Sequence, residues 1–150
     1  MDWFISLITN PYLTTSLLSW FYAQVIKVII YAIINKKFQL ERLYGDGGMP
    51  SGHSATVSSL AMICLLIHGP GSVEFSIALI LAVVVCHDAM GVRHETGKQA
   101  VLINEMISIL ESDELPEIKL KELVGHSPLQ VSVGILIGIL NALLMHAIMV

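Results

Sequence analysis

Apolar residues gather along the chain in four long runs, Thr14 to Ile34, Ser54 to His68, Phe75 to Val92 and Leu129 to Val150. An α-helix needs about 20 apolar residues to cross the hydrocarbon of a bilayer, and roughly 17 still reach. The pattern predicts an all-α fold, an integral membrane helical bundle of about four transmembrane helices, forming a single membrane domain over residues 1–150. The second run is the shortest. The first carries Lys27, whose ammonium either snorkels toward the head groups or faces the bundle interior. Asn10-Pro11 precedes the first run, Gly69-Pro70-Gly71 separates the second from the third, and Gly91 falls near the end of the third. Ser127-Pro128-Leu129-Gln130 reads as an N-cap, a proline at the first helical position and a capping-box glutamine, which starts the fourth helix. There is no internal repeat.

One substantial polar section remains, a helical loop over 93–126. Ala100, Val101, Ile103, Met106, Ile107 and Leu110 recur at helical spacing, and so do Leu115, Ile118, Leu120 and Leu123. Two short amphipathic helices broken at Pro116 are expected, lying against the membrane face or covering the bundle end.

Composition agrees with a bilayer as solvent: 55% of the 150 residues are hydrophobic and 13% charged, with a mean hydropathy of +0.75. The net charge of −4 arises from acids crowded between Glu95 and Glu122, which argues against a nucleic-acid partner. Cys64 and Cys86 both lie in apolar runs and read as buried free thiols. Met1 to Pro11 lacks the basic start and small-residue cleavage site of a secretory signal, so it is read as part of the mature chain.

The positive charges give a topology. Lys36, Lys37 and Arg42 occupy the first loop, Arg93, Lys98, Lys119 and Lys121 the third, and the second has none. Lys and Arg in short loops stay on the cytoplasmic side. The expectation is a multi-pass protein of the cell membrane with both termini outside. Met49 to His53, Asp88 to Lys98 and Gly125 to Pro128 then meet at one cytoplasmic end.

Those segments carry the candidate chemistry. Gly47-Gly48-Met49-Pro50-Ser51-Gly52-His53-Ser54 is a glycine-rich turn entering a helix, where backbone N–H groups and the helix dipole favour an anion such as phosphate. His53 in the first helical turn and His126 just before the fourth helix are two imidazoles at matching depth, suited to nucleophilic attack by one and proton donation by the other. Asp88 lies near the end of the third run, where an ionisable group is costly without a partner, and Arg93 is its natural partner. Arg93 and Lys98 also supply fixed positive charge for a phosphate dianion. Lys36, Lys37 and Arg42 are read as topology determinants or head-group contacts. Gly134-x-x-x-Gly138 permits close helix packing and is read as structural. His68 and His146 belong to the opposite side.

Taken together, Pro50-Ser51-Gly52-His53 and Gly125-His126-Ser127-Pro128 resemble the second and third signature motifs of the type 2 phosphatidic acid phosphatase superfamily. Asp88-Ala89-Met90-Gly91-Val92-Arg93, Gly97-Lys98-Gln99-Ala100 and Leu102-Ile103-Asn104 look more narrowly like its divergent branch of small membrane proteins, related to acid phosphatases and vanadium-dependent haloperoxidases. The likeness runs from about Lys36 to Gly138. It implies His126 as the nucleophile that takes the phosphoryl group and His53 as the general acid, with Ser51 and Gly52 binding phosphate oxygens and no metal or other cofactor required. Gln130 stands where the superfamily has an aspartate four residues after the nucleophile, and Leu120 where it has an arginine. Asp88 or Glu122 is the replacement for the first, Arg93 and Lys98 for the second.

The leading expectation is a membrane phosphatase hydrolysing a lipid phosphate, of the phosphatidic acid, phosphatidylglycerophosphate or isoprenoid phosphate class, through a phosphohistidine. The alternatives are a non-catalytic lipid-phosphate binder or transport component, which Gln130 favours, and a purely structural membrane subunit. Asp88, Glu95 and Glu105 are the carboxylates that would hold a divalent ion if one assisted. Assembly into a homo-oligomer is left open.

Overall fold

The computed structural model describes residues 2–38, 48–109, 120 and 125–149. These form six helices, α1 (Asp2–Ile8), α2 (Pro11–Asn35), α3 (Gly52–His68), α4 (Val73–Met90), α5 (Val92–Ile109) and α6 (Pro128–Met149). No strand occurs among the described residues. Three helical stretches are long and apolar enough to cross a membrane, namely Pro11–Asn35, Val73–Ile109 and Pro128–Met149, and Gly52–His68 is a shorter apolar helix of 17 residues. The chain is thus an all-helical membrane bundle of the expected kind. At 1.5 Å per residue α3 spans about 25 Å, a little less than the ~30 Å hydrocarbon core.

Helices α2, α3 and α4 begin where side chains satisfy their free N–H groups. Asn10 Oδ1 accepts from the N–H groups of Tyr12 (3.0 Å) and Leu13 (3.2 Å) at the head of α2, with Pro11 in the first position. Ser51 caps α3 and Ser72 caps α4. These caps answer the orphan donors that every helix N-terminus leaves.

Helix α3 packs against α2, α4 and α6 and forms the centre of the bundle. Its seam with α6 is unusually close. A Cβ on Gly134 would overlap the Ser51 carbonyl oxygen, and one on Gly138 would overlap the Ala55 carbonyl and the Ser58 hydroxyl. Lipid tails are as apolar as leucine, so membrane helices associate through close packing of small residues and interhelical hydrogen bonds. Ala23, Ala55, Ala61, Ala78, Ala82, Ala89 and Ala142 are accordingly buried, while bulky Ile29, Ile77, Ile80 and Leu136 face outward. Asn141 of α6 donates to the Thr15 carbonyl (3.0 Å) and the Ser19 hydroxyl (2.7 Å), clasping α2.

The helices alternate in direction. The start of α2 meets the end of α3, where the Tyr12 hydroxyl lies 2.5 Å from His68 Nε2 and the two rings stack. At the opposite end the N–H of Ser51 donates to the Gln130 carbonyl (3.0 Å), and that of His126 to the Ala89 carbonyl (3.0 Å).

Two features differ from the sequence expectation beyond small shifts at the helix ends. The third span stops at Met90 rather than Val92, because Gly91 breaks it, and α5 restarts at once. The short exposed α1, with Trp3 and Phe4 turned outward, was not anticipated. Along α5, Gly97 and Ala100 are buried, and the Asn104 amide binds both backbone groups of Leu120 at 2.9 Å. At Gly125 (φ +82) a Cβ would collide with the backbone of Arg93 and His94, so the segment returning to α6 passes hard against the start of α5. The helix expected around Leu115 to Leu123, with its break at Pro116, lies outside the described residues apart from Leu120, as do Arg42, Gly47, Lys119, Lys121 and Glu122.

Candidate functional site

His126 is the more enclosed of the two candidate imidazoles, 3% exposed. It is held from both sides, by the Ala89 carbonyl through its own N–H and by the capping box of α6. In that box Ser127 Oγ accepts the Gln130 N–H (3.4 Å), and Gln130 Oε1 accepts the Ser127 N–H (3.1 Å). The same Oε1 lies 3.3 Å from His126 Nδ1. A backbone N–H can only donate, so the atom facing it is the amide oxygen. Nδ1 is then the ring nitrogen that donates to it.

His53 stands on the first turn of α3, exposed to solvent. Its ring centroid is 6.4 Å from that of His126, with the planes 58° apart. Burial pushes the His126 imidazole below the ordinary histidine value. Its hydrogen bond to Gln130 opposes that shift, the Lys27 ammonium and the His53 ring add to it, and the Gly48 backbone opposes it. The result is a ring biased toward its neutral, nucleophilic form.

Ser51 is fully buried, and its Oγ accepts from the Ser54 N–H (3.3 Å) and the Ser54 hydroxyl (2.9 Å). Its lone pairs serve the helix cap, and its own hydroxyl proton is what it can offer an anion. Gly52 is buried against α2, where a Cβ would come 3.3 Å from Trp20 Cδ1 and 3.8 Å from Gln24 Cδ. Gly48 lies over the stem of Lys27, with a Cβ there 3.7 Å from Lys27 Cγ.

Lys27 and Gln24 are the residues that the sequence reading did not assign to the site. They are 5% and 6% exposed and three positions apart on α2, hence on one face. Gln24 Oε1 is buried with no hydrogen-bond partner among the described residues, an arrangement that costs about 1–3 kcal/mol. The signal was in the first span: Thr15, Ser16, Ser19, Ala23, Gln24 and Lys27 fall on one stripe at helical spacing, all small or polar and all buried. That stripe marks the face of α2 turned toward the other helices.

Residues 8–141 match the model of the Divergent PAP2 family. The chain belongs to that family. It is also 39% identical to a Bacillus subtilis (strain 168) protein described as the uncharacterized membrane protein YuiD, over 94% of this chain and 97% of that one. No solved structure matches it at a significant level.

In this Divergent PAP2 chain, Asp88, Arg93 and Lys98 pair among themselves and with Glu95 rather than with either imidazole. Arg93 Nε lies 2.8 Å from Asp88 Oδ2 across the break at Gly91, and Lys98 Nζ lies 2.7 Å from Glu95 Oε1, both pairs about half exposed. Lys98 holds the Glu95 carboxyl below its ordinary value. Neither Asp88, Arg93 nor Lys98 contributes to the shift at His126. The charges that bear on His126 are those of Lys27, inside the bundle, and of His53.

Proposed function

We propose that the chain is a membrane phosphatase acting on a lipid phosphate, with His126 as nucleophile and His53 as general acid and base. The observation that carries this reading is the approach of the two rings to 6.4 Å beside the buried Lys27. His126 Nε2 attacks phosphorus, the bond to the leaving oxygen breaks, and His53 delivers its proton to the departing alkoxide. Water, deprotonated by His53, then cleaves the phosphohistidine and releases inorganic phosphate.

Attack requires about 3–3.5 Å between nitrogen and phosphorus, and proton delivery needs about 2.6–3.2 Å to the leaving oxygen. The rings therefore open somewhat from their present separation as substrate enters, a movement that the exposed His53 can make. Lys27 neutralises the charge on the equatorial oxygens, aided by the first-turn N–H groups of α3 and the Gln24 amide. Ser51 and Gly52 shape that turn. Arg93 and Lys98, paired with Asp88 and Glu95, form an exposed rim that attracts anionic head groups. Lys36, Lys37, Arg93 and Lys98 share this end of the bundle, which supports a cytoplasmic site in the cell membrane.

A second reading, a lipid-phosphate binder without turnover, is favoured by Gln130, whose neutral amide orients His126 without stabilising an imidazolium. Phosphate release from phosphatidic acid, phosphatidylglycerophosphate and isoprenoid phosphates by purified protein separates the two. Turnover that disappears in His126→Ala and His53→Ala, with a phosphohistidine trapped on acid quenching of wild type, supports the phosphatase. Head-group binding without phosphate release in any sample leaves the binder.

A further inference from the structure

Helices α4 and α6 both pack on α3 but barely touch each other, and the gap between them is a groove of about 510 Å³. Small side chains make its floor: Ser58, Ala61, Ala82 and Cys86, all buried. Leu79 and Val83 form a lip toward the bilayer. The Ser58 hydroxyl donates to the Ser54 carbonyl at 2.6 Å, so this floor residue turns its polar atom into its own helix. The groove is thus apolar along its length. The polar exception is His87, at the end that also holds Met90.

We infer that this groove holds one hydrocarbon chain of the lipid phosphate, an inference that rests on the phosphatase reading for the identity of the head group. Three observations carry it. From Phe75 to Met90 the groove follows α4 for about 22 Å, most of the ~30 Å hydrocarbon depth. Its floor is made of small buried side chains, and apart from the hydrogen-bonded Ser58 hydroxyl its polar group is His87 at one end. An extended alkyl chain, in contact at about 4 Å with the floor and the flanking helices, lies along such a groove.

The third observation is where the groove ends. Cys86, Met90 and Ile135 line it and also pack with Ala89 and Val131, and Ala89 supplies the carbonyl that holds His126. Its polar end therefore lies beside the His53–His126 turn, and its apolar end runs toward the opposite membrane face. A lipid whose head group reaches those rings has the same polarity along its length.

The test places wild-type protein in nanodiscs containing phosphatidic acid with a diazirine midway along one acyl chain, and maps the photolabel. Labelling of Leu79 and Val83 is expected to exceed that of outward-facing Ile80 and Leu136 several-fold. Excess unlabelled phosphatidic acid should remove the difference, and phosphatidylcholine of the same chains should not. Even labelling of all four residues, or equal competition by phosphatidylcholine, would overturn the inference. Ala82→Trp, or Leu79→Trp if the former does not fold, should abolish the preference. The same variant should lower turnover of long-chain phosphatidic acid relative to glycerol phosphate by at least about tenfold, equivalent to ~1.4 kcal/mol. Absence of phosphate release from every wild-type sample overturns the phosphatase reading alone, because the label reports on the groove without turnover.

Discussion

The side-chain oxygen of Gln130 holds His126 at Nδ1, 3.3 Å away, while the same atom caps the first turn of α6 through Ser127. One amide therefore starts a helix and fixes the tautomer of the candidate nucleophile. An amide oxygen orients an imidazole but carries no charge to stabilise its protonated or phosphorylated form. Burial is what depresses His126, and the hydrogen bond to Gln130 opposes that shift without reversing it.

Gln130→Glu keeps the reach and the capping oxygen and adds a negative charge. The acidic limb of the kcat/KM profile, which reports the free enzyme's nucleophile, should move to higher pH, and the His126 ring resonances should titrate at higher pH by NMR. An unchanged limb would mean that another group governs it.

Lys27→Met removes the buried charge beside His126 with little change in volume, whereas Asp88→Asn breaks an exposed pair. Exposed pairs contribute about 0.2–1 kcal/mol, so Asp88→Asn should change turnover by less than about fivefold. Loss of one electrostatic donor at a transition state costs about 10²–10³ in kcat, and Lys27→Met should fall in that range. The reverse order would return Asp88 to the catalytic role that its sequence position suggests.

Stability should depend on pH through His126. Its folded value lies below the ordinary 6.5, so the unfolded chain takes up a proton first as pH falls. The contribution is fully present above about pH 6.5 and is lost progressively as pH drops toward the folded value, with no further loss below it. Thermal unfolding in detergent across that window should show the decline, and His126→Gln should flatten it.

Gly134→Val places side-chain atoms on the Ser51 carbonyl. Overpacking of this kind costs about 1–3 kcal/mol, and here it pries α6 from the turn that carries His53. A lowered unfolding temperature should accompany loss of turnover, while Ser132→Val, on the exposed face of the same helix, should do neither.

The bundle was legible because four apolar runs and their Asn-Pro, Gly-Pro-Gly and Ser-Pro punctuation each obey local rules. His53 and His126 were legible for a related reason, since both sit at helix starts with strong sequence signatures. What local pattern could not give was which charge would face them. Arg93 and Lys98 are near the motifs in sequence, yet each finds a carboxylate within five residues, and short-range pairing on a flexible surface needs no help from the fold. Lys27 is about a hundred residues from His126 and reaches it only through the packing of α2 beside α3 and α6, which apolar periodicity alone does not specify. Gly125 and Asn104 were likewise visible as letters of a motif. Their reason, a backbone crossing and a grip on Leu120, exists only in three dimensions.

The clasp of Asn141 on Thr15 and Ser19 joins the last membrane helix to the first long one, 126 and 122 residues apart along the chain. During synthesis the Thr15–Ser19 part of the α2 stripe gains this partner only when α6 arrives. Assembly of this small protein is therefore coupled end to end: a chain that stops before α6 leaves the Thr15 carbonyl and the Ser19 hydroxyl without the amide that joins the two helices.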